Sequence, residues 1–276
     1  MSEETFHYIE LVPPRALTPF VRCLWRMRGV PDLGAPPDPI IPDGCAELVV
    51  NLGDAFVRHS HDGSHRQPLR LIAGQITRAV TVQPSGVIDL WGVRFHPWGA
   101  GPFLGFSGAE LRDCLTSLAE VAVPLERELS MIADESSESA RFDTICGHLT
   151  RQLGRARGVD SRVPTLIAVI EAVREPFTVR GLARYAGLGV RRVQALFRDE
   201  VGLSPKQLHR IHRYQRALAI HRAEPRLTWS AIASRAGYHD HSHLNHDSRD
   251  IVGRTPAELL GASSKFTEAF LSDEKP

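Results

Sequence analysis

Apolar residues in the N-terminal part of the chain fall in short runs with the composition of β-strands. Two such runs, at 46–52 and 87–95, are rich in Val, Leu, Ile and aromatic residues. Proline and glycine bound these runs on either side. Residues 29–39 hold four prolines and two glycines and are predicted to form a loop. The pattern predicts a small, curved β domain, either a small barrel or a cupin-like fold.

The apolar spacing becomes helical between Pro124 and Arg157. Apolar residues recur there at every third or fourth position, as on one face of a helix; they are Leu125, Leu129 and Ile132, then Phe142, Ile145 and Leu149. A polar segment at 134–139 separates the two groups. We therefore expect helices to trail the β domain.

After Pro164 the pattern is helical throughout, and it repeats. The predicted helices span 165–174, 179–186, 190–200, 205–223, 229–235 and 241–252. Thr178, Ser204 and Thr228 are suitable N-caps, and Gly187 and Gly237 turn the chain within two similar helix pairs. The second pair follows the first as a divergent internal duplication. The pattern predicts two helix-turn-helix units joined by a long linker helix.

The predicted fold class is α+β and multidomain. The β-rich domain with its trailing helices takes residues 1–154. A linker takes residues 155–164, the helical domain residues 165–262, and a tail residues 263–276.

The charge of the chain is divided unequally between these parts. The net charge is +1 overall, but residues 1–154 carry 13 Lys and Arg against 19 Asp and Glu, a net charge of −6. Residues 155–270 carry 19 against 11, a net charge of +8. A basic nucleic-acid-binding domain joined to a separate acidic domain would show this asymmetry, although many solvated helical surfaces carry as much charge.

Two further properties bear on the compartment. No run approaches the roughly 20 apolar residues that a membrane span requires. The first residues are acidic and lack an apolar signal region. We expect a cytoplasmic protein.

The predicted helix over 190–200 has two distinct sides. At about 100° per residue, Val190, Val193, Leu196 and Phe197 fall on one stripe, opposite Arg191, Gln194, Ala195 and Arg198. Arg can bond guanine or phosphate through two N–H groups, Gln can pair with adenine, and a small Ala permits close approach. The alternative interpretation is an ordinary solvated face.

The helix over 241–252 repeats this division. Ser242, Asn245, His246 and Arg249 lie on one side, and Leu244 and Ile251 on the other. Two such helices on a rigid linker helix could enter adjacent major-groove segments, about 34 Å apart on double-stranded DNA. The predicted DNA-binding residues are Arg191, Arg192, Gln194, Ala195 and Arg198 in the first unit, and His241, Ser242, His243, Asn245, His246 and Arg249 in the second.

The motifs of this helical region resemble the DNA-binding domain of the AraC/XylS-type transcription regulators. The first half of the resemblance lies at 182–188, 196–198 and 201–205, and the second half at 232–233, 237–244 and in Gly253-Arg254-Thr255-Pro256. The resemblance covers about residues 160–262. It implies two helix-turn-helix units, regulation of promoters and, often, contact with RNA polymerase.

The upstream motifs Ile41-Pro42-Asp43-Gly44-Cys45, Ala73-Gly74-Gln75 and Gly92-Val93-Arg94-Phe95-His96-Pro97 resemble an uncharacterised domain fused to such readers. That resemblance implies a module that senses an unnamed small molecule, sets homodimerisation, or does both.

The chain departs from the family pattern at positions in both halves. Gly189 stands where a Ser cap is usual, and Ala195 and His246 replace base-facing arginines. Ser248 stands where a core Phe is common, which predicts looser packing of the second unit.

Other candidate chemistry is weaker. His239, His241, His243 and His246 with Asp240, and His59, His61 and His65 with Asp62, could suggest metal, but a polar helix start and an exposed loop are the simpler interpretations. We predict neither a metal nor a cofactor. The four cysteines form no CxxC pair and are predicted to be buried free thiols.

An enzyme or small-molecule-binding protein, with the activity in the β domain, is the alternative function. The sequence holds no G-x-S-x-G, phosphate loop, dinucleotide fingerprint or HExxH motif, so no catalytic residue is assigned. Trp91, Arg94, His96 and Trp98 could line a ligand pocket, with core packing as the competing interpretation.

Overall fold

The computed structural model describes residues 6–60, 63–154, 158–174 and 177–261. Within these residues, a β-rich part with trailing helices precedes an all-helical part, which confirms the predicted fold class. Residues 155–157 of the predicted linker and the predicted tail at 263–276 lie outside the described residues.

The strands of the β-rich part form two antiparallel sheets. The strands are β1 Phe6–Leu11, β2 Val21–Gly29, β3 Asp38–Ile40, β4 Glu47–Asn51, β5 Val57–Ser60, β6 Gly63–Arg66, β7 Arg70–Ala73, β8 Val80–Gln83, β9 Ile88–Phe95 and β10 Leu115–Ser117. The larger sheet has the order β1-β2-β9-β4-β7-β10, and the smaller one the order β3-β8-β5-β6. Part of the predicted loop at 29–39 is strand, because β3 begins at Asp38.

The two faces of the larger sheet bury different cores. Successive side chains of a strand point to opposite faces. Trp25 and Met27 of β2 and Leu90 of β9 therefore pack toward the smaller sheet. Their strand neighbours Leu24 and Trp91 join a second core beneath the trailing helices.

The trailing helices cover that second face. They are α1 Ala100–Leu104, α2 Gly108–Leu111, α3 Leu118–Val121, α4 Val123–Ser130 and α5 Glu138–Leu153, with a 3-10 turn at Met131–Asp134. The predicted apolar positions Leu125, Leu129, Ile132, Ile145 and Leu149 are all buried in this core, and Phe142 packs against its edge.

The helical part follows the predicted order of elements. Its helices are α6 Arg162–Ala172, α7 Val179–Tyr185, α8 Val190–Leu196, α9 Pro205–Ala223, α10 Trp229–Ala236, α11 His241–Val252 and α12 Pro256–Gly261. Thr178, Ser204 and Thr228 each accept a hydrogen bond as N-caps, as predicted. The last turn after α8, Phe197–Val201, is π-helical instead of α-helical. In the part of the chain that the structure describes, no helix combines the length and the apolar composition of a membrane span.

The turns of the two helix pairs repeat the same hydrogen bond. The Leu188 amide donates to the Ala183 carbonyl at 2.9 Å, and the Tyr238 amide donates to the Ala233 carbonyl at 2.8 Å. These bonds close each first helix in the same way, through a glycine with positive φ. The internal duplication predicted from the sequence is present in the backbone.

Each unit nevertheless has its own hydrophobic core. The first core gathers α6, α7, α8 and the start of α9, where Leu208 and Ile211 are buried. The second core gathers the rest of α9 with α10, α11 and α12, around Tyr214 and Leu244. Helix α9 is therefore the structural member that both cores share.

Candidate nucleic-acid interface

The polar side of α8 is turned to solvent. Arg191, Arg192, Gln194 and Arg198 are exposed, and Ala195 is half-buried between them. The opposite stripe, Val193, Leu196 and Phe197, is at most 4% exposed. Val190, which was predicted to belong to the buried stripe, is 36% exposed because it opens the helix beside the turn. We call the four exposed polar side chains the first polar face.

Helix α11 exposes fewer of its predicted residues. Ser242, His246 and Arg249 are exposed and form the second polar face. His241, His243 and Asn245 are half-buried. His243 lies 3.2 Å from an Arg213 guanidinium nitrogen and stands edge-on to the ring of Tyr238, so it is directed toward the protein.

The cations of the two faces differ in their partners. Arg198 is held by its neighbour Asp199, with Nε to Oδ1 at 2.8 Å. His246 lies 3.5 Å from Asp250, one helical turn away. Among the ion pairs of the described residues none involves Arg191, Arg192 or Arg249, which leaves these guanidinium groups available to an anionic partner.

Helix α11 is attached to the linker helix by a charged cluster that the sequence analysis did not identify. Asp247 accepts from Nε of Arg210 at 2.7 Å and from Nη2 of Arg213 at 2.6 Å. Arg213 also lies over the Tyr238 ring, 4.2 Å from its centroid. Asp250, nearer the surface, accepts a further bond from Arg210 at 2.6 Å. We call Arg210, Arg213 and Asp247 the polar clamp.

Ser248 completes this attachment and corrects one prediction. Its hydroxyl donates to the Arg254 carbonyl at 2.6 Å and lies 3.0 Å from the hydroxyl of Tyr214, which can donate to it. Ser248 is fully buried. The expectation of looser packing at Ser248 is wrong. The serine is enclosed by the protein, and its two hydrogen bonds replace the apolar contacts that an aromatic side chain would make there.

A signal for this arrangement was present in the duplication. Gly202 and Gly253 follow the second helix of the first and of the second unit. When the two units are aligned on these glycines, Asp247 and Ser248 align with Leu196 and Phe197. A carboxylate at a buried position requires a cation or several donors nearby. Arg210 and Arg213, which lie three residues apart on α9, were the available partners.

The histidines of the second unit are engaged separately. His239 pairs with Asp240 at 3.1 Å, while His243 faces Arg213. Among the described residues no group of three or more His, Cys, Asp and Glu is placed to hold a metal ion. His61 and Asp62 of the other candidate cluster lie outside the described residues, and His59 bonds Ser64.

A cavity of about 440 Å³ lies between the β-rich part and α9. Trp25, Leu71, Leu90 and Arg94 are among the lining residues from the sheets. His212, Gln215, Ala219 and Arg222 of α9 and Glu171 of α6 line it from the helical part. A molecule in this cavity would therefore contact both parts of the chain.

The four predicted pocket residues do not converge on this cavity. Arg94 lines it, but Trp91, three positions earlier on β9, points to the opposite face of the sheet. His96 and Trp98 stack on each other with ring centroids 4.8 Å apart. Trp98 packs against the core of the first helix-turn-helix unit instead.

The charge states of two groups at the wall of the cavity follow from their surroundings. Arg94 bonds Glu47 at 2.7 Å and lies 3.3 Å from Glu10. Burial would lower the pKa of Arg94, but Glu47 and Asp43 hold it well above its usual value, so the guanidinium stays charged. Burial lowers the pKa of His212 to about 4, which makes this imidazole neutral at pH 7.

Burial makes the thiols of two cysteines near this site weakly reactive. All four are free, and Cys23, Cys45 and Cys146 are buried as predicted, whereas Cys114 is half-buried. Burial raises the pKa of the Cys23 thiol to about 12, and it also raises that of Cys45, which lines the cavity. Both thiols are therefore protonated and weakly nucleophilic at neutral pH.

Comparison with protein families separates the same two parts of the chain. Residues 9–117 match a domain of unknown function, DUF6597. Residues 182–262, which include both polar faces, match the family described as a helix-turn-helix domain. The C-terminal part of this chain is an AraC-type helix-turn-helix domain. A helix-turn-helix domain of this type supports a role in DNA-binding transcription regulation.

Solved structures of ToxT from Vibrio cholerae have a similar fold. One of them is 9% identical over 94% of this chain and 99% of that chain, with a TM-score of 0.50. A ToxT bound to (E)-4-(8-methylnaphthalen-1-yl)but-3-enoic acid is 11% identical, with a TM-score of 0.49 and the same coverage of both chains. At this identity the likeness concerns the fold alone. Comparison with curated proteins gave no match.

Proposed function

We propose that this protein binds a specific double-stranded DNA sequence as a transcription regulator, with α8 and α11 in adjacent segments of the major groove. The observation that carries the proposal is the pair of exposed polar faces on two helix-turn-helix units that share the linker helix α9. Arg191 and Gln194 on the first face have the donor and acceptor groups that read guanine and adenine edges.

Phosphate contacts would supply affinity and base contacts would supply specificity. Arg191, Arg192 and Arg249, which are exposed and take part in no ion pair among the described residues, are the best candidates for new anionic contacts. Arg198 would first have to leave Asp199, or its guanidinium would have to bond Asp199 and the DNA at the same time. The first face is therefore expected to dominate binding.

Selection of random duplexes on the full chain, followed by footprinting, tests this proposal. We expect one site of about 15–20 base pairs with two protected major-groove segments on one side of the duplex. Arg191→Ala should weaken binding to that site. Arg127→Ala, an exposed arginine on α4, is the matched control and should leave it unchanged. Equal binding to all duplexes would contradict sequence-specific recognition.

We further propose that a small molecule controls DNA binding from the cavity between the β-rich part and α9. The volume of about 440 Å³ suits a small ligand. Because α9 supplies part of the wall and also carries the two arginines of the polar clamp, occupancy could change the attachment of the second unit.

The environment-sensitive dye 1-anilinonaphthalene-8-sulfonate serves as a probe of this cavity. We expect saturable binding by the full chain, and its loss in Ala219→Trp, which places an indole in the cavity from α9. Ala119→Trp, at an exposed position on α3, is the control. Dye binding that is equal in both variants would place the dye elsewhere and contradict an accessible cavity.

A further inference from the structure

The β-rich part contacts both helix-turn-helix units, and it does so at the ends of α8 and α11. The sequence predicted only a short linker, at residues 155–164, between the β-rich part and the helical part, so these contacts are unexpected. The contacts are here called the first joint, at Gly108 and Gly202, and the second joint, at Ala79 and Ile251.

The first joint is a close backbone contact between two glycines. Gly202 has φ +85° and ends the π-helical turn that follows α8. A Cβ on Gly108, the first residue of α2, would lie 2.2 Å from the Gly202 amide nitrogen. A Cβ on Gly202 would lie 2.2 Å from the Gly108 carbonyl oxygen. Neither residue can carry a side chain without separating the two parts of the protein.

The second joint holds the last turn of α11. The Ala79 amide, just before β8, donates to the Ile251 carbonyl at 2.7 Å. That carbonyl belongs to the end of a helix, where carbonyl groups lack partners within the helix. Ile41 of the β-rich part also enters the core of the second unit. The contact is therefore both polar and apolar.

The two joints are connected within the β-rich part. Asp113, which follows α2, accepts from the Thr77 amide at 2.7 Å and from the Thr77 hydroxyl at 3.0 Å. Asp113 has φ +56° and is the non-glycine residue with positive φ among the described residues. The segment that forms the first joint is thereby fixed to the loop that forms the second joint.

The joints leave the predicted DNA-contacting side chains uncovered. The first polar face and the second polar face remain exposed while the ends of their helices are held. Inside the helical part the units have separate cores and share α9, with Arg216 bonding the carbonyls of Glu171 and Ala236 as a further tie. The contacts hold the ends of both helices and cover neither polar face. They are therefore suited to fixing the positions of the helices, a role we call the brace, and not to blocking access of DNA.

We infer that the β-rich part sets the relative position of α8 and α11, with Gly108, Gly202, Ala79 and Asp113 as positioning residues that select the spacing between two DNA half-sites. The inference rests on the proposed DNA-binding function. Its consequence is specific: weakening a joint should change the tolerance for half-site spacing more than the affinity for the best site.

The test measures binding of the full chain to its selected site and to versions with one or two base pairs added between the half-sites. Each added pair rotates one half-site by about 34° around the duplex. We expect the wild-type chain to lose more than tenfold in affinity on the two-pair insertion. Gly108→Ala should lose less than threefold, because Ala can adopt the helical backbone of α2 but its Cβ would collide with Gly202 and open the first joint. Asp113→Gly should do the same, because Gly keeps the positive φ and removes the bonds to Thr77.

Gly147→Ala in α5 is the matched control, since its new Cβ would meet only the flexible Arg151 side chain at 3.4 Å. It should keep the wild-type spacing profile. Hydrogen exchange of the Ala79 amide gives a readout without DNA, and its protection should fall in Asp113→Gly but not in Gly147→Ala.

The outcomes separate two failures. If the wild-type chain binds no two-part site, the proposed function fails. If it binds one and both joint variants keep the wild-type spacing profile, the brace is wrong. A uniform gain of affinity at every spacing in Gly108→Ala would show an inhibitory contact and would also overturn the brace.

Discussion

The two helix-turn-helix units have the same backbone plan and each has an apolar core, but two equivalent positions are held by different interactions. In the first, Leu196 and Phe197 bury apolar side chains in the core beneath α8. In the second, the equivalent Asp247 and Ser248 bond Arg213 and Tyr214 of α9. Apolar burial tolerates small shifts, whereas buried charges and hydroxyls require their partners at fixed places. The second unit is thus more dependent on a few named contacts.

The largest expected effect comes from breaking the polar clamp. Asp247→Ala should lower the free energy of unfolding by about 3–5 kcal/mol, because it leaves the Arg213 guanidinium buried without its carboxylate. The Asp247 and Arg213 side chains are only 9% and 15% exposed. Urea unfolding of the full chain measures the change.

Asp250→Ala is the control for that measurement. Asp250 also bonds Arg210, but its side chain is 43% exposed, so its loss should cost much less than the loss of Asp247. Equal losses in the two variants would show that burial does not distinguish these carboxylates.

The next effect compares the two polar faces in DNA binding. Arg191→Ala should weaken binding to the selected site by roughly ten- to a hundredfold if Arg191 reads a base, which corresponds to about 1–3 kcal/mol. Arg249→Ala should weaken it less, because the second face has fewer exposed polar groups. Fluorescence anisotropy at fixed salt compares them, and the reverse order would contradict the dominance of the first unit.

An effect of similar size, on stability instead of DNA binding, is expected at Ser248. Ser248→Ala leaves the Tyr214 hydroxyl and the Arg254 carbonyl without their bonds to the serine, which should cost about 1–3 kcal/mol. Ser234→Ala, at an exposed position on α10, should be nearly neutral. Thermal unfolding of both variants provides the check, and a neutral Ser248→Ala would mean that these hydrogen bonds add no net stability.

The smallest effect separates the caps of α8 and α11 by pH. Asp240 caps α11, and the backbone bond from His243 lowers its pKa below the usual 3.8. Its contribution is therefore present above that pH and is lost as pH falls through the lowered value. Gly189, the cap of α8, has no titrating side chain.

Hydrogen exchange at the start of each helix between pH 5 and pH 3 measures this difference. We expect α11 to lose protection at its N-terminus before α8 does. Asp240→Ser, which keeps a capping oxygen without a titrating carboxylate, should remove the pH dependence. Persistence of that dependence in Asp240→Ser would assign it to another group.

Local sequence patterns were sufficient to predict most helices of the helical part, their caps and their buried sides. The caps at Thr178, Ser204 and Thr228 satisfy backbone groups within a few residues, so the sequence nearby was sufficient to place them. The buried stripe of Val193, Leu196 and Phe197 follows from helical periodicity alone. Both polar faces followed from the same periodicity.

The errors arose where the decisive neighbour is distant in sequence. Ser248 was expected to loosen the packing of the second unit. Its hydrogen-bond partner Tyr214 lies on another helix and could not be inferred from neighbouring residues. Trp91 and Arg94 were grouped in one pocket, although an odd separation on a strand places them on opposite faces of the sheet. Trp98 was expected in the β domain and packs on the first unit across the boundary between the two parts.

The sequence by itself determined the two helix pairs, their caps and the exposed sides of α8 and α11, since these depend on contacts within one or two turns of helix. Only the tertiary structure decided that the β-rich part reaches Gly202 and Ile251, and that a cavity lies against α9. The physical reason is that these features join backbone atoms and side chains from distant segments, whose meeting depends on how complete layers pack.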